Sequence, residues 1–198
     1  MICRPIAAIC ALMATLMVGC ETTSSGSGAG KSKVAGVSTG NLSKAHGPVR
    51  VVRTTAYHCK EADHIAYGSL SAYGTQLRYG KVRSAAADWS RYPIGTVFRI
   101  AGVPQLFIVD DYGSALVGKD TLDLYTRSKQ EMNYWGARYV KVEFLRWGSY
   151  DLSYKLLAER AKYPHCRQMA MAIKAKRPNV ERAAASIAMR KKAAAPRS

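Results

Sequence analysis

The chain has 198 residues, 48% hydrophobic and 22% charged, a globular composition that excludes fibrous and intrinsically disordered classes. Thirty Lys and Arg against thirteen Asp and Glu give a net charge of +17. The excess sits in the flanks: residues 51–150 carry +4 and residues 151–198 carry +9, and no long apolar run follows the first twenty residues, which excludes a multi-spanning membrane protein.

Residues 1–20 set Arg4 before an apolar stretch, Ile6 to Val18, too short to span a bilayer comfortably and suited to the core of an export signal. The stretch closes on Gly19-Cys20, followed by Glu21-Thr22-Thr23-Ser24-Ser25-Gly26. This pattern resembles the bacterial lipoprotein signal, which implies acylation of Cys20 and the two-chain anchoring that a single chain does not give. With Glu21 rather than Asp after the cysteine, the implied destination is the periplasmic face of the outer membrane. An ordinary secretory signal with an incidental Cys20 is the alternative. Residues 21–48, rich in Ser, Gly, Thr and Lys without apolar periodicity, form a flexible tether.

From residue 49 the pattern changes. Val49–Tyr57 is rich in β-branched residues and predicts a strand. Further short strands are predicted at 81–85, 96–100, 105–109, 121–125 and 138–145, punctuated by Gly74, Gly80, Pro93-Ile94-Gly95, Gly102, Pro104, Gly113 and Gly118. A helix is predicted from Ser128 to Trp135. Many short strands around one helix argue a small β-barrel over residues 49–150 rather than a βαβ sheet. Residues 151–198 form a different, basic and Ala-rich segment, predicted helical over Leu152–Lys176 and again from Val180, with Pro178-Asn179 as the break. It is expected to pack on the barrel, or to act as an electrostatic tether to an anionic polymer.

Export leaves Cys59 and Cys166 as the cysteines of the folded part, in an oxidising compartment where a disulfide is expected between them. Its long loop would contribute roughly 4–5 kcal/mol on the chain-entropy model. Two free thiols are the other reading. Each cysteine follows a histidine (His58 and His165), but adjacent residues rarely both reach one tetrahedral ion, so no metal is expected.

Several blocks, taken in order, resemble the 3D domain family, named for three aspartates. They are Thr55-Ala56-Tyr57, Ser71-Ala72-Tyr73-Gly74-Thr75, Ala86-Ala87-Asp88 with Pro93-Ile94-Gly95-Thr96, and above all Val109-Asp110-Asp111-Tyr112-Gly113-Ser114-Ala115-Leu116-Val117-Gly118 leading to Leu122-Asp123-Leu124-Tyr125. The last is similar to D-T-G-x-A-I-x-G followed by I-D-[IL]-[YF], with Tyr112 and Ser114 as departures and Lys119-Asp120 lengthening the loop. Trp135-Gly136 before Val140-Lys141-Val142 agrees too. The resemblance implies a double-psi β-barrel and, with the basic helical extension, a mainly β protein. It also implies peptidoglycan as substrate and the lytic cleavage of its glycan strands, without a cofactor.

That reaction needs one carboxyl group to serve first as acid and then as base, holding its proton near neutral pH beside another carboxylate or in an apolar pocket. By resemblance Asp123 is the acid/base, Asp111 its close partner and Asp88 a barrel-organising residue. From chemistry alone, the favoured reading is that the three aspartates cap turns; the resemblance favours catalysis. Tyr57, Tyr73 and Tyr112 lie in motif blocks and are the candidate sugar-stacking residues; Tyr79, Trp89, Tyr92 and Trp135 are read as core or rim. The expectation is therefore an exported, lipid-anchored lytic transglycosylase binding peptidoglycan and not nucleic acid. A non-catalytic wall-binding module and a hydrolytic glycosidase are the rivals, since a fold alone does not fix an activity.

Overall fold

The computed structural model of the chain describes residues 46–59 and 68–193, all within one compact unit. The signal segment, Cys20 and the tether up to residue 45 lie outside the described residues. Six strands form where the β-branched runs predict them: β1 (Val49–His58), β2 (Val82–Ala87), β3 (Val97–Ile100), β4 (Leu106–Asp111), β5 (Thr121–Thr126) and β6 (Arg138–Arg146). They close into a barrel in the order β1-β5-β2-β4-β3-β6. The pairs β1/β5 and β2/β4 are parallel and the other four antiparallel. The Pro93–Thr96 turn brings the chain into β3: Gly95, at φ +88°, takes a left-handed conformation and donates its N–H to Val109 O at 2.7 Å.

Alternation along the strands sends Val52, Ala85, Ala87, Phe98, Phe107, Val109, Leu122, Leu124 and Val142 into one buried core. The intervening residues of β1, β2 and β5 face the other way, and Tyr57, Ala86 and Tyr125 build a smaller cluster there with Leu116 of the β4–β5 loop. The candidate site lies on this outer face.

Among the described residues four α-helices accompany the barrel: α1 (Lys129–Trp135), α2 (Tyr150–Ala158), α3 (Pro164–Lys176) and α4 (Val180–Ala193). The single helix predicted over 152–176 is in fact two. Pro164 occupies the first turn of α3, where its missing N–H is harmless, and it turns the preceding residues away from helical geometry. Leu157, Met169, Ile173 and Val180 belong to the same buried cluster as Trp89, Tyr92 and Ile94 of the barrel, so this helical segment completes the barrel's core. Ser149 N donates to Ile94 O at 3.0 Å and Ile94 N to Ser153 Oγ at 2.9 Å, pinning α2 to the Pro93–Thr96 turn.

The expected disulfide is absent: Cys59 and Cys166 are both free thiols. They are held by different neighbours, Cys59 against the Tyr125 hydroxyl and Cys166 against that of Tyr112. Even count and export were the whole basis of that expectation, and neither places two side chains together.

Candidate active site

Pairing register assembles the acids. Asp123 on β5 lies opposite Thr55 of β1 on one side and Ala86 of β2 on the other. Ala86 in turn lies opposite Asp111 of β4. Directly opposed residues share a face of the sheet, so Thr55, Asp123, Ala86 and Asp111 form one row across four strands. The alanine between the two carboxylates leaves no bulky side chain to separate them. The Thr55 hydroxyl donates to Asp123 Oδ1 at 2.6 Å and fixes the rotation of that carboxyl group, which is only half-buried.

The row depends on a β-bulge. Ala85 pairs with Val109 but Ala86 with Asp111, leaving Asp110 as the extra residue of β4. Without it, strict alternation would send one of the two consecutive aspartates into the core. With it both reach the outer face. Asp110 accepts from Ser84 Oγ at 2.8 Å and lies 3.9 Å from the Arg78 guanidinium, while Asp111 faces Tyr57.

The two neighbours are buried differently. Asp111 accepts from the Tyr57 hydroxyl at 3.0 Å and from the N–H groups of Ala72 and Tyr112, each at 2.9 Å. Each of these three groups donates, and donors of this kind favour an ionised carboxylate. Asp110 has a buried Oδ1 with no hydrogen-bond partner. Burial pushes its pKa up to about 7, the charge of Asp111 adds to the rise, and the Ser84 hydroxyl and Arg78 oppose it. Burial, then Asp111, Asp110 and Asp123, likewise hold the Tyr57 phenol well above its ordinary range, so it stays a proton donor. Asp110, the acid that the sequence reading left without a role, is thus the most perturbed carboxyl on the face for which a shift is resolved.

Asp88 lies apart from the row. Its Oδ1 caps the following turn at Ser90 N, and its Oδ2 takes Gly118 N, each at 2.7 Å, which ties the loop between β4 and β5 to the Asp88–Tyr92 turn. The inserted Asp120 is anchored as well, accepting from the Tyr92 hydroxyl. Trp89, fully buried, donates its indole N–H to Asp111 O at 2.8 Å.

The three tyrosines diverge. Tyr57 is 7% exposed, which makes it a donor to Asp111 rather than an open stacking surface. Tyr73 is half-buried against the main core, with its N–H on Asp110 O at 3.1 Å. Tyr112 packs edge-on against Trp89 and beside His165, its hydroxyl accepting from the Cys166 thiol, so it joins the β4–β5 loop to α3. Only the position of Tyr57 brings a tyrosine hydroxyl to the paired acids.

The described residues form a closed, six-stranded mixed barrel with two aspartates flanking an alanine on its outer face. Residues 83–146 match the family model of the 3D domain, the family that the motif blocks resemble. The match runs from β2 to the end of β6 and includes Asp88, Asp111 and Asp123; Thr55-Ala56-Tyr57 and Ser71–Thr75 precede it. No curated protein matches the chain. The 3D domain is associated with murein-degrading enzymes.

Proposed function

We propose that the protein is a lytic transglycosylase that cleaves the glycosidic bond between N-acetylmuramic acid and N-acetylglucosamine in peptidoglycan, with Asp123 as general acid and then base. The observation that carries this reading is the Thr55–Asp123–Ala86–Asp111 row, inside a segment matching the 3D domain. Neighbouring negative charge is a physical means by which a carboxyl retains a proton, and Asp111 supplies it on the same face.

In the first step the Asp123 carboxyl gives its proton to the glycosidic oxygen as the bond from C1 to that oxygen breaks. In the second the Asp123 carboxylate removes the proton of the muramic acid 6-hydroxyl, whose oxygen closes on C1. The product is a 1,6-anhydro ring, no water is consumed, and the acid is regenerated. Asp111, held by three donors, keeps a fixed negative charge that favours the cationic sugar of the transition state.

The rest of the reading follows the same resemblance. The barrel is of the double-psi type, which its closed six strands and two parallel pairs favour. Residues 1–20 direct export, Cys20 carries the lipid, and residues 21–48 span from an outer-membrane anchor to the wall. Residues 49–150 form the catalytic barrel and the basic residues 151–198 its helical extension. Tyr73 and Tyr112 are both half-buried, but the Tyr112 ring is packed on Trp89 and His165, which leaves Tyr73 as the motif tyrosine to meet a sugar.

The test is digestion of peptidoglycan sacculi by the purified protein and by Asp123→Asn, with products identified by mass spectrometry. Anhydro-muropeptides from the wild type alone are expected. Reducing-end products would make the protein a hydrolase. Co-sedimentation of both forms with sacculi and no release would make it a wall-binding module.

A further inference from the structure

Beyond the acids, the outer face continues as a tyrosine ladder. The Tyr57 ring lies 5.6 Å from that of Tyr125, which lies 6.3 Å from that of Tyr79. At the far end two guanidinium groups converge on Tyr79: Arg83 of β2 at 4.1 Å and Arg127, just past β5, at 4.7 Å from the ring centre. Two cavities of about 440 and 810 Å³ share Tyr79, Arg83 and Val103 in their walls. The larger is also lined by Lys81 and Arg127.

Among the described residues that line the two cavities, the cations Lys81, Arg83, Arg99 and Arg127 outnumber one acid, Glu131. Among the described residues neither Arg83 nor Arg127 forms an ion pair. The nearby carboxylate, Glu131, is taken by the Tyr79 hydroxyl at 2.8 Å and by the backbone N–H of Arg127 at 3.2 Å. The Arg83 Nε is buried without a hydrogen-bond partner, an arrangement costly enough to call for one. Arg99, on the larger cavity, is already paired with Glu143 at 2.6 Å.

We propose that the Arg83–Tyr79–Arg127 cleft is a carboxylate-binding subsite that takes the acidic peptide stem of the substrate whose glycan lies across Asp123 and Asp111. This rests on the peptidoglycan reading above. A guanidinium fork matches a planar carboxylate, and Arg127, exposed on the wall of the larger cavity, has its fork open to one. The ladder joins the subsite to the acids as one face, so sugar and stem engage the same molecule at once.

The experiment is calorimetric binding of a soluble disaccharide-tetrapeptide muropeptide and of the same compound with its carboxyl groups amidated. The proteins are wild type, Arg127→Gln, which alters an exposed side chain, and Arg83→Gln. Amidation and Arg127→Gln are each expected to weaken binding about tenfold, and Arg83→Gln by at least as much. Equal binding of the amidated compound, or wild-type affinity in both variants, would overturn the subsite. So would inorganic phosphate displacing the muropeptide at equal concentration, which would make the cleft a general anion site. The two readings separate. Wild type that cleaves peptide-free glycan as fast as whole sacculi, with Arg127→Gln unaffected, would end the subsite and leave the cleavage reading intact. Arg127-dependent binding without any cleavage would keep the subsite and end the cleavage reading.

Discussion

Asp110 gives stability a pH dependence that can be worked from the structure. Its carboxyl has a pKa of about 7 in the fold against an ordinary 3.8, a difference worth about 4 kcal/mol at roughly 1.4 kcal/mol per tenfold. Because the folded value is the higher one, the fold binds the proton more tightly than the unfolded chain. The stabilisation is therefore fully present below the unfolded value near 3.8 and is lost as pH rises through about 7. Integrated from pH 8 down to pH 5, this single group adds roughly 2–3 kcal/mol of stability. Asp110→Asn removes the titration while keeping the shape and an acceptor for the Ser84 hydroxyl. The assay is urea unfolding of both proteins at pH 5, 6, 7 and 8, read as the difference between them so that the other carboxyl groups cancel. Wild type is expected to gain roughly 2–3 kcal/mol on Asp110→Asn between pH 8 and pH 5. A difference that stays flat across that range would refute the buried, poorly solvated carboxyl on which the argument depends.

Two further predictions address packing and the thiols. A Cβ on Gly148 would stand 2.1 Å from Ile94 O and 2.4 Å from Pro93 O, backbone atoms fixed by the turn into β3. Gly148→Ala should therefore cost about 2 kcal/mol or more, measured by urea unfolding, and a change below about 0.5 kcal/mol would show that this approach is not close. Because Cys59 and Cys166 are free, dithiothreitol should leave Tm unchanged. A fall of several degrees would reveal a bridge, which over so long a loop would contribute roughly 4–5 kcal/mol.

How much of this was legible depends on how far apart in the chain the determining residues lie. The six strands were legible within a residue or two because their β-branched runs and the Gly and Pro between them act locally. Asp111 and Asp123 were legible because each lies in a compact motif. The bulge was not: Val109-Asp110-Asp111 carries no local mark that two consecutive acids will share a face, since the extra residue exists only relative to the pairing of β2. Tyr112 lies in the same motif as Asp111, yet its ring goes to Trp89 and His165, a choice made by α3 more than fifty residues later. Pro164 was the available sign that the helix predicted over 152–176 divides, through its effect on the residue before it.

By itself, then, the sequence determined which segments become strands, where the chain turns, and which acids lie in the segment that matches the 3D domain, because propensity, turn chemistry and motif spacing are properties of neighbouring residues. Tertiary structure decided the rest. Barrel closure set Ala86 between Asp123 and Asp111, the bulge brought Asp110 to the same face in a poorly solvated site, and the fold kept Cys59 and Cys166 with separate tyrosines. It also gathered Tyr79, Arg83 and Arg127 from three segments into one cleft. Register, desolvation and convergence are relations between distant parts of the chain, and they come into being only when the barrel closes.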